Sequence, residues 1–564
     1  MARPGAGWLW SLAALGVAAG GAALGWRRVW LLSPDAVNYA GAAHAFAEGR
    51  GLVAPVQYSY FLAGATPPLP AIHVFAPVFP LLLAAPFALG ADLPQAFAAH
   101  VVFASLVGAA ALAVGRRCLA PASALAFALA VAWSPAWVAA SRQLLTEASA
   151  GGVLLAFLGV AGRCLLGARE SPVPARESPV PARESPATVA ARSVARALAL
   201  GALAWIGWLT RPNLALLLPA ALLAATLELS PRRALRSRPL WACALAFTAL
   251  VLATELAVRA ATGRAPYAHY AILSQLFEPR EARLFRAEYP GALAFFRAHA
   301  AEVAALWLAA ARSLARALCL GPDYHYVGWL ALPGLVHACA GGGRGRFERR
   351  LAAFAALGFL VSAVATGSSF APRRYPLPAA VCLWLVALAA VEDAGRWLAR
   401  RARDPGAAWA RALPGALPLG CALAAIAAAS VALGPGRFAG ASALGRRGSV
   451  HAGGSFGRSA RAFCAEVPRD AIVAAIDPWT FHLWCGNASL WVPTDLDGET
   501  WVARYLDALR PTYLVLDATP PFAALRASPR LERIAESGPH ALYRVRGAAA
   551  DSPRWDAPPP LARR

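Results

Sequence analysis

The chain of 564 residues is 59% hydrophobic and only 15% charged, with a mean hydropathy of +0.50. Soluble proteins carry about 25% charged residues, so this composition excludes an ordinary soluble globular protein. The net charge of +23 does not indicate a nucleic-acid-binding protein, because the arginines cluster in short loops between apolar segments and form no basic stripe interleaved with aromatic residues.

Apolar segments recur along the chain and predict a mostly α-helical, polytopic membrane protein with about eleven transmembrane helices. The first segment, near residues 7–24, is interpreted as a retained helix, with a cleaved signal peptide as the alternative. The other predicted spans lie near residues 96–115, 119–139, 144–165, 196–210, 212–229, 239–261, 326–341, 350–367, 375–393 and 413–434.

The arginine-rich loops all fall on one side of the membrane if the N-terminus is cytoplasmic, as the positive-inside rule requires. This orientation holds only if two further apolar segments do not cross. We therefore predict that residues 71–90 and 300–320 form juxtamembrane helices at the outer surface. The C-terminal region then lies on the extracytoplasmic side of the membrane.

This pattern divides the chain into a membrane domain and a C-terminal region. Residues 1–435 form the membrane domain, which includes a first outer loop at 33–94 and a cytoplasmic loop at 167–195. A repeated seven-residue unit in the latter contains proline, so we predict disorder rather than a coiled coil.

The C-terminal region alternates short apolar strands with amphipathic helical segments between residues 450 and 546, which predicts a small extracytoplasmic α/β domain. Residues 547–564 are rich in proline and arginine and are predicted to be disordered. Cys464 and Cys485 are the two cysteines of this region, and an oxidising compartment makes them a candidate disulfide.

Polar residues gather at the predicted outer ends of the spans. Carboxylates and arginines at that level suit an anionic, lipid-linked substrate, because an arginine fork binds phosphate and a carboxylate can act as a base or a metal ligand. The candidates are Asp35 as catalytic residue and Tyr39, His73, Glu147, Arg211, Arg374 and Tyr375 as substrate-binding residues.

Structural roles compete with these assignments. Asp35 follows Ser33-Pro34 and could serve only as an acid in the first turn of a helix. Glu147 could be a helix-start acid of the same kind, and a single histidine such as His73 is more often structural than catalytic.

Five segments in order resemble GT-C glycosyltransferases, which include protein O-mannosyltransferases and bacterial lipid A aminoarabinose transferases. The resemblance covers residues 5–435, and the segments are SPDAVNYAGAAHAFAEGRGL, FAPVFPLLLAAPFALGA, RQLLTEAS, LTRPNLALLLPAALLA and RRYPLPAAVCLWL. It implies sugar transfer from a polyprenyl-phosphate donor to a lipid, glycan or protein acceptor at the outer (periplasmic) face of the bacterial inner membrane. It also implies that Asp35 is catalytic, with Glu147, Arg211 and Arg374 as weaker matches.

One departure from the family bears on the chemistry. Ala36 follows Asp35 where many relatives have a second acid, so a divalent metal is left open rather than predicted. Two other functions remain as alternatives. A lipid-linked-sugar flippase would need polar residues through the midplane of several spans, and a non-catalytic envelope scaffold would act through the C-terminal domain.

Overall fold

The computed structural model describes residues 7–25, 33–57, 69–73, 75–166, 186–263, 297, 300–340, 345–365, 375–402, 407–433, 454–492, 499–547 and 561. The first part of the chain is helical, apart from the short strands β1 (Val53–Ala54), β2 (Val56–Gln57) and β3 (Leu69–Pro70) of the first outer loop.

The helices of this part are, in chain order, α1 (Gly7–Gly25), α2 (Pro34–Ala47), α3 (Val78–Ala88), α4 (Leu93–Cys118), α5 (Pro121–Ala132), α6 (Pro135–Ser141), α7 (Glu147–Leu165), α8 (Pro186–Thr210), α9 (Leu217–Leu229), α10 (Pro231–Leu235), α11 (Arg238–Thr262), α12 (Ala300–Leu320), α13 (Gly328–Ala340), α14 (Arg346–Ala365), α15 (Leu377–Arg401) and α16 (Ala408–Leu433). Short 3-10 turns lie at Ala71–His73, Pro212–Leu216 and Pro322–Tyr324.

The predicted polytopic helical fold is confirmed. Within the described ranges, eight helices are long and apolar enough to cross a membrane, or nine if α5 and α6, bent by 52° at their junction, form one span. α3 has 11 residues and is too short to cross about 30 Å of hydrocarbon, as expected for a juxtamembrane helix. α12 is as long and apolar as the spans, so its location at the outer surface stays a prediction.

Close helix packing in the membrane part depends on small residues. Gly334 in α13 lies so near α15 that an added Cβ atom would be 2.9 Å from the Cα of Ala387. Helices in lipid gain little from burying apolar surface against each other, and small residues let their backbones approach closely.

Ion pairs join the ends of several helices near the arginine-rich loops. Arg350 contacts Glu228 at 2.6 Å, and Arg346 pairs with the same carboxylate. Arg349, which is 2% exposed, contacts Asp393 at 2.5 Å. These arginines were interpreted from the sequence only as markers of membrane orientation, whereas the structure shows that they also tie α14 to α9 and α15.

The C-terminal part contains a six-stranded mixed sheet with the order β2-β5-β4-β6-β8-β7. Its elements are α17 (Ser455–Phe463), β4 (Val473–Ala475), α18 (Pro478–Cys485), β5 (Ser489–Trp491), α19 (Glu499–Leu509), β6 (Tyr513–Asp517), α20 (Ala523–Arg526), β7 (Leu531–Ser537) and β8 (His540–Val545). The α/β character predicted for residues 450–546 is therefore present, although neither edge strand was foreseen. The apolar spacing of residues 521–537 predicts a helix, and this prediction is wrong for Leu531–Ser537, which pairs with β8 as edge strand β7.

The edge strand β2 belongs to the first outer loop. It runs parallel to β5, with Val56 opposite Ser489. The Ser489 N–H donates to the carbonyl oxygen of Pro55 at 2.9 Å. The sheet of the C-terminal domain is thus completed by the loop that carries Asp35.

Helix α2 also packs directly against α18. His482 of α18 is fully buried, and its Nδ1 lies 2.8 Å from the carbonyl oxygen of Asn487. Burial lowers the pKa of His482 to about 4, so the ring is neutral at physiological pH. A neutral ring can pack against the apolar surface of α2 without the cost of burying a charge.

A disulfide joins Cys464 and Cys485, the pair that the sequence singled out. Cys464 caps the C-terminal end of α17, and Cys485 is the last residue of α18. The bond therefore links the C-terminal ends of two helices, each of which precedes a strand of the sheet.

We expect that replacing both Cys464 and Cys485 with serine lowers the free energy of unfolding of the C-terminal domain by about 3 kcal/mol. The reason is that the unfolded chain loses a cross-link between residues 21 positions apart. Thermal unfolding followed by tryptophan fluorescence, with and without a reducing agent, would measure the change. The reducing agent should lower the midpoint of the wild-type protein and leave that of the double variant unchanged. Equal midpoints for oxidised wild type and the double variant would contradict the prediction.

Candidate functional site

The N-terminus of α2 holds Asp35. The Ser33 hydroxyl accepts the Ala36 N–H at 3.1 Å and caps the helix, and Pro34 occupies the first turn. Asp35 is half-buried in that turn, where the helix macrodipole stabilises a negative charge. The local sequence therefore explains why the helix begins here and why a carboxylate is tolerated.

Aromatic rings connect α2 to the start of the membrane helices. Tyr39, one turn after Asp35, meets Phe75 and Phe79 edge-on, with ring centroids 5.0 and 5.2 Å apart. Phe79 in turn meets His100 of α4 edge-on at 5.2 Å. Leu561 lies in the same buried cluster, although it belongs to the segment predicted to be disordered.

A buried ion pair lies beyond His100. Arg211 Nη1 contacts Glu147 Oε1 at 3.1 Å, and the two residues are 8% and 2% exposed. Glu147 also acts electrostatically on His100. The guanidinium of Arg211 lies 5.0 Å from the ring centroid of Tyr375, which suits a cation–π contact.

Local backbone structure positions both partners of the pair. Glu147 is the first residue of α7, and the preceding connection holds the fully buried Leu144 at a φ of 48°. A left-handed conformation costs a leucine about 1–2 kcal/mol, so this short connection is strained. Arg211 has an extended backbone conformation between α8 and the 3-10 turn at Pro212–Leu216.

The turn between α12 and α13 approaches the same pair. Tyr324 is buried, and its pKa is raised well above the ordinary value, first by burial and then by the carboxylates of Asp323 and Glu147, against a smaller opposing effect of Arg211. The phenol is therefore protonated and can donate a hydrogen bond at physiological pH. His325 and Tyr326, next in the chain, both have left-handed φ values, of 51° and 56°.

The structure brings together some of the residues predicted from the sequence. Arg211 contacts both Glu147 and Tyr375. Asp35 and Tyr39 share α2, and the ring of Tyr39 meets Phe79, which meets His100. His73 is directed elsewhere, with its Nε2 atom 3.0 Å from the Thr262 hydroxyl at the end of α11. Arg374 lies outside the described residues.

Sequence reasoning missed His100 and Tyr324. His100 is a single polar residue within an apolar helix, and a period of three to four residues cannot distinguish a core histidine from one that faces a site. Tyr324 lies in the segment GPDYHY between two apolar segments, and a local sequence pattern does not identify the distant neighbours of such a residue.

The donor set does not favour a metal ion. Among the described residues, no group of three His, Cys, Asp or Glu side chains converges. The Glu147 carboxylate is already engaged by the Arg211 cation, and Ala36 supplies no second acid beside Asp35. No chemical step is therefore derived through a metal.

We expect Glu147→Leu to destabilise the protein by about 3–5 kcal/mol, because Arg211 would keep a buried charge without its partner. The double variant Glu147→Leu/Arg211→Met should recover much of that loss. Thermal unfolding in detergent would measure both. Asp507→Ala, which removes an exposed partner of Arg530, serves as the control and should cost less than about 1 kcal/mol. Equal losses in the single and double variants would show that the pair is not coupled.

Comparison with known proteins supports a fold but no close relative. No family model and no curated protein matches the sequence. Solved structures do match: ArnT from Cupriavidus metallidurans bound to undecaprenyl phosphate has a TM-score of 0.53 at 14% identity, over 97% of this chain and 100% of that chain. The archaeal oligosaccharyltransferase AglB from Archaeoglobus fulgidus, in complex with an inhibitory peptide and a dolichol-phosphate, has a TM-score of 0.51 at 12% identity, over 90% of this chain and 70% of that chain. The chain therefore has the fold of the GT-C glycosyltransferases, as its motifs predicted.

Proposed function

We propose that this protein is a membrane glycosyltransferase that moves a sugar from a polyprenyl-phosphate donor to an acceptor in the cell envelope. One observation supports the proposal. Tyr39, one turn after the half-buried Asp35 on α2, meets Phe79 edge-on, and Phe79 meets His100. His100 is in turn within electrostatic reach of Glu147, the buried partner of Arg211. The residues that we propose as base and as phosphate-binding cation thus lie on elements that this row of side chains links.

The class of donor is inferred from the cation and from the fold. Within the described ranges, the hydrogen bond from Arg211 to Glu147 uses Nη1 of a planar guanidinium that is suited to bind phosphate oxygens. The matched ArnT and AglB structures hold undecaprenyl phosphate and dolichol-phosphate. We carry over the shared chemistry, a phosphate on a polyprenyl chain, and place the reaction at the outer face of a bacterial inner membrane.

The reaction is a displacement at the anomeric carbon. The acceptor hydroxyl oxygen forms the new bond to that carbon, while the bond from the carbon to the phosphate oxygen breaks. The phosphate leaves with the bonding electrons, and Asp35 receives the hydroxyl proton. The charge that develops on the phosphate is stabilised by Arg211, which is held in place before the reaction by Glu147 and the ring of Tyr375.

Tyr324 and His100 complete this arrangement. Tyr324 is protonated next to the ion pair and can donate to a sugar or phosphate oxygen. His100 is 4% exposed and joins the aromatic side of the group to its charged side. Both residues are buried among side chains that exclude water, which strengthens electrostatic interactions with a bound phosphate.

We expect Asp35→Asn to lower sugar transfer by about 10²- to 10⁴-fold, because the amide cannot accept the proton. Transfer from a radiolabelled polyprenyl-phosphate sugar to native envelope material would measure it. Glu48→Gln, at the other end of α2, is the matched control and should keep nearly full activity, since Glu48 contacts only His44 and Arg50 among the ion pairs of the described residues. Unchanged transfer by a folded Asp35→Asn protein would contradict the assignment.

A further inference from the structure

Three contacts attach α2 to the C-terminal domain. The first runs through Asn38, which is fully buried one turn after Asp35. Its Oδ1 atom accepts the Val56 N–H at 3.2 Å. Val56 lies in β2, which pairs with β5 of the C-terminal sheet, so Asn38 links the catalytic helix to that sheet.

The second contact is a close approach at Gly41. A Cβ atom added there would lie 2.6 Å from Cγ of Pro55 and 2.8 Å from Nε2 of His482. Only a residue without a side chain fits at these distances. His482 cannot swing away easily, because its other ring nitrogen is engaged by the Asn487 carbonyl at 2.8 Å.

The third contact is apolar. Ala45, one turn further along α2, is buried in the same cluster as Leu490 of β5 and Leu514 of β6. Leu483 of α18 is buried in the cluster that also contains Tyr39 and Phe79. The interface therefore extends along α2 and is continuous with the residues around the proposed active site.

We infer that His482, packed against Gly41, is a positioning residue for Asp35, and that the C-terminal domain is thereby part of the catalytic unit. The inference rests on the proposed role of Asp35. Asp35 and Gly41 share one short helix, about 9 Å apart along its axis at 1.5 Å per residue. A rigid helix transmits a displacement at Gly41 to Asp35.

The disulfide supports the same arrangement. It joins the end of α18 to the end of α17, and α18 is the helix that presents His482 to α2. Cross-linking therefore restrains the element against which the catalytic helix is placed.

Gly41→Ala tests the inference. The added methyl group forces α2 away from both Pro55 and His482 by roughly half an ångström, and misplacement of a reacting group by about 1 Å can cost about 10²-fold in rate. We expect kcat to fall by about 10- to 100-fold, with the KM for the polyprenyl-phosphate sugar changed by less than about twofold, because Arg211 is untouched. Gly420→Ala in α16 is the matched control, since its added Cβ would meet nothing within 4 Å, and it should retain wild-type kinetics.

Hydrogen exchange separates positioning from general destabilisation. In Gly41→Ala, amides of residues 34–47 should exchange faster, whereas amides of β4 and β6 should keep wild-type protection. Wild-type kcat together with wild-type exchange of α2 in a folded Gly41→Ala protein would overturn the inference. Equal loss of protection in α2, β4 and β6 would also overturn it, because that pattern indicates unfolding of the domain.

A second variant keeps the test valid if Gly41→Ala does not fold. His482→Ala removes the ring without adding bulk and should lower kcat by about 3- to 10-fold at unchanged KM. Unchanged kcat would overturn the inference. If the wild-type protein itself shows no transfer from the polyprenyl-phosphate sugar, the proposed function fails. The exchange of α2 in either variant then still reports whether His482 holds this helix.

Discussion

The buried Glu147–Arg211 pair is the constraint on which the arrangement of this site depends. Removing two charges from water is costly, and the cost is recovered only if geometry and additional contacts are good. The protein meets this requirement by bringing together the start of α7, the turn before α9 and the start of α15, with the ring of Tyr375 against the guanidinium. Each of these chain segments must be placed correctly for the pair to form.

The charged residues of the membrane part fall into two groups with different roles. The Glu147–Arg211 pair lies with Tyr375 at the start of α15, whereas Arg349 meets Asp393 near the end of that helix. Eighteen positions separate Tyr375 from Asp393 in the sequence, which is about 27 Å along a helix. The second group joins helix ends to one another. The first group lies beside the aromatic row that begins at Tyr39, on the helix of Asp35, and contains the cation that we propose binds a phosphate.

The sequence was sufficient to predict the class of fold and much of the first group. Apolar segments of spanning length predicted a polytopic helical protein, because backbone groups in lipid must be bonded within helices. Motif order indicated the GT-C fold. Arginine placement predicts that Asp35, Glu147 and Arg211 lie at one face of the membrane, and this orientation stays a prediction. Ser33-Pro34-Asp35 also predicted a helix start, since capping is a local interaction.

What the sequence could not reveal depends on contacts between distant segments. β2 has two residues, and its identity as a strand comes from pairing with β5, more than 400 positions later in the chain. His100 lies within an apolar helix, where the sequence does not show which neighbours it contacts. Tyr324 is a candidate site residue only because the fold brings it close to Glu147 and Arg211. The arginines of α14 served in the sequence analysis only as markers of membrane orientation. Their ion-pair partners, Glu228 and Asp393, lie on other helices and could not be identified from the sequence. Residue type predicts local structure, whereas the partner of a buried charge is set by tertiary packing.

The proposed function requires Arg211 to bind the phosphate of a polyprenyl carrier on the side of Asp35. A cryo-EM structure of the protein in a lipid nanodisc with undecaprenyl phosphate would test this. We expect phosphate density within hydrogen-bonding distance of Arg211, with the lipid reaching the aromatic cluster of Tyr39 and Phe79. Phosphate density beside Arg349 and Arg350 at the opposite helix ends, with none near Arg211, would contradict it.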